Sequence, residues 1–289
     1  MRLFATAVLL FACFVPIASV KAADPLRQDN LVAWCIVPFD AAKRTPEQRA
    51  VMLEELGIGR CAYDWRAEHV PTFEQEIEAY QKHNIEFFAF WGVHEEAFKL
   101  FEKYDLHPQI WLMLPQPEGN IQEEKVASAV NNLTPLAKRA KELGCELGIY
   151  NHGGWSGEPR NMVDVCQAMR QEGFDNVGIV YNFHHGHEHI ADFAESFKQM
   201  KPYLLCVNLN GMNDNAQPKI LGIGKGMYER GMIKTVLESG YDGPIGILDH
   251  RNELDSKESL QENLSGLAEL QAKLSPKSTI STAPNMIGD

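Results

Sequence analysis

Eight short apolar runs, each followed by a segment of helical period, recur along the chain about every thirty residues, the spacing of βα units. The runs cover residues 31–38, 58–65, 85–91, 109–114, 146–151, 177–182, 204–209 and 244–248. Several are apolar almost throughout, as expected of strands buried on both faces in a parallel sheet. Between them, helices are expected from Thr45 to Leu56 and over 72–83, 95–104, 122–143, 160–171, 190–200, 229–239 and 257–273. Thr45-Pro46-Glu47-Gln48 supplies a cap and a proline in the first turn, and Gly57 and Gly144 mark helix ends. The pattern predicts an α/β chain with a single (β/α)8 TIM barrel over residues 31–274. A doubly wound open sheet would use fewer strands and often a glycine-rich first turn, whereas the turn here is Pro38-Phe39-Asp40-Ala41.

Flanking segments read differently. Arg2, the apolar run from Leu3 to Ile17 and the small residues before Ala23 have the layout of a secretory signal peptide over 1–22. A short polar lead (23–30) precedes the barrel, and a Ser-, Thr- and Pro-containing tail (275–289) follows it. Secretion or periplasmic location is the expectation. Removing Arg2 and Lys21 with the signal leaves 25 basic residues against 39 acidic and moves the net charge from -12 to -14. Such a surface repels phosphate backbones and anionic lipids, which argues against nucleic acid or, after signal cleavage, a membrane as partner. Five cysteines remain beyond Cys13, an odd number, most of them set in apolar strands and expected to be small buried hydrophobes.

In a TIM barrel the chemistry belongs at the carboxyl ends of the strands. Reading off where each run stops gives Asp40; Asp64, Arg66, Glu68 and His69; Trp91; Gln116; Tyr150, Asn151 and His152; Asn182, His184 and His185; Asn208 and Asn210; and Asp249, His250 and Arg251. The sixth strand is the densest, because His184, His185, His187 and His189 are four of the chain's ten histidines. An imidazole near neutral pH can be a ligand, a proton carrier or a hydrogen-bond donor. His187 and His189 also read as polar residues opening the next helix. Trp65, Trp91 and Trp155 suit stacking on a sugar ring or packing beneath a loop. Asp64 and Arg66 together would grip vicinal hydroxyls or form an ion pair closing the mouth.

At Leu147-Gly148-Ile149-Tyr150-Asn151-His152-Gly153-Gly154, Val177-Gly178-Ile179-Val180-Tyr181-Asn182-Phe183-His184-His185 and Gly243-Pro244-Ile245-Gly246-Ile247-Leu248, the chain resembles the xylose isomerase-like TIM-barrel superfamily. That group includes sugar-phosphate isomerases and epimerases, hydroxypyruvate isomerases, inosose dehydratases and apurinic-site endonucleases. The resemblance implies a divalent metal held by Glu, Asp, His and Glu at the ends of strands five to eight. Here those positions are Tyr150, Asn182, Asn208 and Leu248, which lack the carboxylates and imidazole a hard cation needs.

Two residues further along the same inward faces stand His152, His184, Asn210 and His250, with Asp249 and Glu188 nearby. Two readings follow. His152, His184 and His250 could hold zinc, manganese or a similar ion at a relocated site, or the same residues could form a metal-free sugar pocket. His185 falls at a family position that usually touches substrate, and Lys225, in the glycine-rich loop after strand seven, would bind a carboxylate or phosphate or be solvated. For an isomerase, epimerase or lyase acting on a small carbohydrate, the acid/base candidates are His152, His185, His250 and Glu68. The binding set would be Asp64, Arg66, Trp91, Asn151, Asn182, Asn208, Asn210, Lys225 and Asp249. The alternative is a barrel that binds carbohydrate and has lost its chemistry.

Overall fold

The computed structural model describes residues 24–274. The signal-peptide expectation for 1–22 and the tail over 275–289 lie outside the described residues. Eight parallel strands close in sequence order into a barrel: β1 (Leu31–Trp34), β2 (Arg60–Tyr63), β3 (Glu86–Trp91), β4 (Gln109–Leu112), β5 (Leu147–Tyr150), β6 (Val177–Asn182), β7 (Leu204–Leu209) and β8 (Ile245–Leu248). Closure is made by β1 against β8, with Leu31 opposite Ile245 and Trp34 opposite Leu248. The outer ring is formed by helices at Pro46–Glu55, Phe73–Lys82, Glu95–Tyr104, Gln122–Glu142, Pro159–Gln171, Phe193–Met200, Glu229–Glu238 and Ser256–Leu274. A single extra helical turn, Gly154–Gly157, sits between β5 and its helix. Among the described residues no helix is long and apolar enough to cross a membrane.

Local signals explain most boundaries. At the first helix Gln48 N donates to Thr45 Oγ1 (3.4 Å) while Thr45 N donates to Gln48 Oε1 (3.0 Å), a reciprocal cap ahead of Pro46. The first strand is shorter than its apolar run. Cys35 takes φ 61°, and a left-handed residue cannot continue the ladder. The helix expected from residue 190 begins instead at Phe193, because two 3₁₀ turns, Phe183–His185 and His187–His189, take up the histidine segment.

Two apolar layers result. One lies between sheet and helices. The other fills the barrel, where Val32, Trp34, Ala62, Ala89, Trp111, Tyr150, Val180, Cys206 and Leu248 meet as inward residues of alternating period two. The five described cysteines are unpaired and buried. Gly148 makes room for the bulky members of the inner layer: a Cβ there would lie 2.6 Å from Val180 Cγ2 and 2.9 Å from Trp111 Cδ1. Gly148→Ala is therefore expected to destabilise the protein by about 1–3 kcal/mol. Urea unfolding checks this; an unchanged midpoint would mean that the inner layer is loosely packed.

Candidate active site at the barrel mouth

The strand ends enclose a cavity of about 140 Å³ lined by Trp34, Cys35, Phe39, Asp64, Arg66, Trp91, Tyr150, His152, His184, His185 and His250. Its floor is aromatic. Trp34 lies 4.9 Å from Trp111 and 5.6 Å from Trp91, ring centre to ring centre, and Trp91 meets Tyr150 edge-on at 4.9 Å. The Tyr150 hydroxyl accepts from Trp34 Nε1 (3.1 Å) and from the Asn182 side-chain amide. The Asn182 carbonyl oxygen Oδ1 in turn accepts from the backbone N–H of His184 at 3.1 Å. A continuous set of neutral hydrogen bonds thus runs from β1 through β5 to the loop that carries the histidines.

This neutral set occupies the positions where the resemblance expects metal ligands. Tyr150 lines the cavity's floor, Asn182, Asn208 and Leu248 are buried with it, and Leu248 holds the fourth position. Asn208 Oδ1 accepts from Cys206 Sγ at 3.6 Å and would stand 1.6 Å from any Cβ on Gly246, so its amide lies directly over the β8 backbone. No carboxylate or imidazole belongs to this quartet, and its donors do not fit a hard divalent cation.

Above the floor the imidazoles form a chain. His152 and His185 are 4.4 Å apart between ring centres, His185 and His184 3.6 Å, and His184 and His250 5.6 Å. Phe39 packs on His250 at 4.0 Å. Among the described residues no three His, Cys, Asp or Glu side chains are arranged to hold a metal ion. Burial, with neighbouring imidazoles adding to it, drives the His184 pKa well below its usual value and that of His185 down to about 3. Burial and then the charge of Arg66 lower that of His250. These three rings are neutral at physiological pH. Burial acts the other way on a carboxyl and lifts Asp64 to about 7.

The other candidates fall into distinct places. Asp64, Arg66, Trp91, His152, His184, His185 and His250 line the cavity together. Arg66 spans Phe39 at 5.2 Å, donates to the Trp65 carbonyl (2.7 Å), and makes no ion pair with Asp64. Glu68 is exposed in the turn Ala67–Thr72 and is not among the lining residues. Asn151 faces away from the cavity axis and ties strands together, its Nδ2 donating to Asn182 O (3.0 Å) while its Oδ1 accepts from Asn182 N (2.7 Å). Asn210 closes the loop after β7 by donating to Lys219 O (2.9 Å) and accepting from Leu221 N (3.1 Å). Asp249 accepts from Ser256 (2.9 Å) and Ser259 (2.7 Å) on the last helix, and Lys225 pairs with Glu262 at 3.8 Å.

Lining residues outside that candidate set also appear. Trp34, Cys35 and Phe39 face the cavity because β1 stops four residues before its apolar run does. Lys219 lies in an adjoining recess of about 480 Å³ that shares His184 and His185 and also includes Gly153, Gly154, His187 and Glu188.

A closed parallel barrel with a polar cavity at the carboxyl ends of its strands has its candidate site where enzymes of the TIM-barrel class carry theirs. Residues 52–270 match the family model described as "Xylose isomerase-like TIM barrel", and the chain belongs to that family. A search of curated protein sequences finds no significant match. Among solved structures it is similar to 3-keto-D-glucoside 4-epimerase YcjR from E. coli, with TM-score 0.62 and 12% identity over 84% of this chain and 99% of that one. It is also similar to the IOLI protein with a bound zinc atom, with TM-score 0.66 and 16% identity over 85% and 99%. A third likeness is to D-psicose 3-epimerase studied with D-fructose, with TM-score 0.60 and 12% identity over 85% and 99%. At these identities the likeness is one of fold.

Neutral imidazoles leave a signature in stability. Between about pH 6.5 and 3 the unfolded chain binds a proton at His185 that the native protein lacks. Stability is therefore lost as pH falls through that window, by at most about 1.4 kcal/mol per pH unit from this group. Asp64 contributes with the opposite sign between about pH 4 and 7, where the native carboxyl keeps a proton the unfolded one has released. In His185→Gln the acid-side loss should be shallower than in the native protein when urea midpoints are compared from pH 7 to pH 4. Parallel curves would show that His185 is not held neutral.

Proposed function

We propose that this protein is an exported carbohydrate-active enzyme that moves a proton beside a carbonyl group, as an isomerase or epimerase or in a lyase-type elimination, using imidazoles where its relatives use a metal ion. The observation that carries this reading is the row of imidazoles, three of them held neutral, above an uncharged quartet at the positions where the resemblance expects metal ligands. Export rests on the layout of residues 1–22. The aromatic floor of Trp34, Trp91 and Tyr150 suits the apolar face of a pyranose, and the ring nitrogens of His152, His184, His185 and His250 suit its hydroxyls.

Proton removal next to a carbonyl leaves negative charge on oxygen, which must be met by a donor already in place. A neutral imidazole N–H meets it without the cost of burying a cation, and His185, whose low pKa makes it a poor base, is suited to that role. His152 at the exposed mouth and His250 beside Phe39 hold and orient hydroxyls. The structural likeness to 3-keto-D-glucoside 4-epimerase and D-psicose 3-epimerase motivates a panel of ketoses, aldoses and 3-keto-glycosides as trial substrates.

A barrel that binds carbohydrate without transforming it is the second reading, and the same uncharged quartet favours it. Incubation with the panel in D2O separates the two by proton NMR. An enzyme is expected to exchange a carbon-bound proton of at least one sugar, and His185→Ala to slow that exchange by about 10²-fold. Binding of a sugar with no exchange of any panel member would overturn the enzyme and leave the binding barrel.

A further inference from the structure

Asp64 is a buried carboxyl among the cavity's lining residues, and it is only partly satisfied by the residues around it. It is 2% exposed and directly follows β2, two residues beyond Ala62 of the barrel interior. Its Oδ1 accepts a long hydrogen bond, 3.4 Å, from Val37 N. Its Oδ2 has no partner at all among the described residues, and no ion pair reaches either oxygen. A buried carboxyl placed for structure is normally satisfied on both oxygens, as Asp249 is by Ser256 and Ser259 and Asp40 by Arg44, Ala42 N and Ser256 N. The nitrogens Nδ1 of His184 and of His250, which line the same cavity, are unpartnered as well.

We propose that Asp64 is the catalytic acid/base of this site, exchanging a proton with a substrate carbon while the neutral imidazoles bind the substrate's oxygens. The proposal rests on the enzyme reading above and names the residue that performs its central step. As carboxylate, Asp64 takes the proton from the carbon next to the carbonyl; the C–H electron pair moves into the new C–C double bond, and the carbonyl electrons go to oxygen, which receives an imidazole hydrogen bond. The protonated Asp64, which trades its proton with water in the cavity, then delivers a proton to the neighbouring carbon, with a compensating proton shift between the two oxygens. Nothing is consumed and the site returns to its starting state.

Burial makes the group fit for both halves of that cycle, since a carboxyl held at about 7 is poised to give and accept a proton near neutrality, unlike His185. The charged or titratable groups around it are Cys35 from the β1 end, Cys61 and Tyr63 of β2, Arg66 on its own loop, Arg49 from the first helix, and the imidazoles of His152, His184, His185 and His250. Of these, Arg66 and Arg49 favour the carboxylate and temper the effect of burial.

The test is deuterium exchange into the sugar panel by the full-length mature protein and by Asp64→Asn, which keeps shape and removes the titrating group. Sugar binding by both is followed by calorimetry, and the Asp64 carboxyl is followed by carbon-13 NMR, assigned through the variant. The expected result is exchange at least about 10²-fold slower in Asp64→Asn, sugar affinity within a few-fold of native, and a native carboxyl that titrates between pH 6 and 8. Native-like exchange in Asp64→Asn, or a carboxyl that titrates below pH 5, would overturn the proposal and leave the enzyme reading intact. Absence of exchange by the native protein for every sugar would remove the enzyme reading and this proposal with it. Should Asp64→Asn not fold, Asp64→Glu, which retains the acid but displaces it, should slow exchange while still titrating.

Discussion

The interior of a closed barrel cannot hold uncompensated charge, and in this protein the compensation rests on one phenol. The Tyr150 hydroxyl accepts from the indole of β1 and from the amide of β6, joining three strands around the point where the family's metal would sit. Remove the cation from such a barrel and carboxylates left behind would repel one another in a medium of low dielectric. Replacing them by a phenol, two amides and a leucine answers that problem without charge. The cost is that the floor supplies no electrophile.

That cost shapes the layer above. The site loops place imidazoles two residues beyond the sealed positions, on the same inward faces, and burial keeps the deeper ones neutral. A neutral N–H aimed at an oxygen does part of what a cation does, with less desolvation to overcome. The same burial raises Asp64, so one property of the environment suppresses the basicity of the histidines and enhances that of the carboxyl. Arg66 and Lys219 are the positively charged residues of the cavity and its adjoining recess. They sit locally against the strongly acidic balance of the whole chain.

Much of this was legible in the sequence, for identifiable reasons. Strands β6 and β7 and the helix Glu95–Tyr104 have the bounds their apolar patterns give, because glycine, asparagine and charged residues punctuate them. The strand-end rule reached Asp64, Arg66, Trp91, His152, His184, His185 and His250, all of which line the cavity. It could not place Trp34 and Cys35, since the apolar run continues past the backbone break at Cys35 and only the dihedral angle reveals it. Side-chain alternation also sorts the amides and acids: Tyr150 and His152 face inward while Asn151 between them braces β6, and Leu248 and His250 face inward while Asp249 turns to the last helix. Burial of Asp64, and with it the difference between a gripping carboxylate and a proton carrier, depends on packing across β1 and β2 that no local pattern encodes.

This barrel is proposed to work without a metal ion, and elemental analysis decides the point. The protein, produced without affinity-tag histidines and purified without chelator, is expected to contain well under one equivalent of any divalent transition ion, even after incubation with zinc and manganese. One retained equivalent in the native protein, lost in His152→Ala, His184→Ala or His250→Ala, would contradict the claim and mark the imidazole layer as a relocated metal centre.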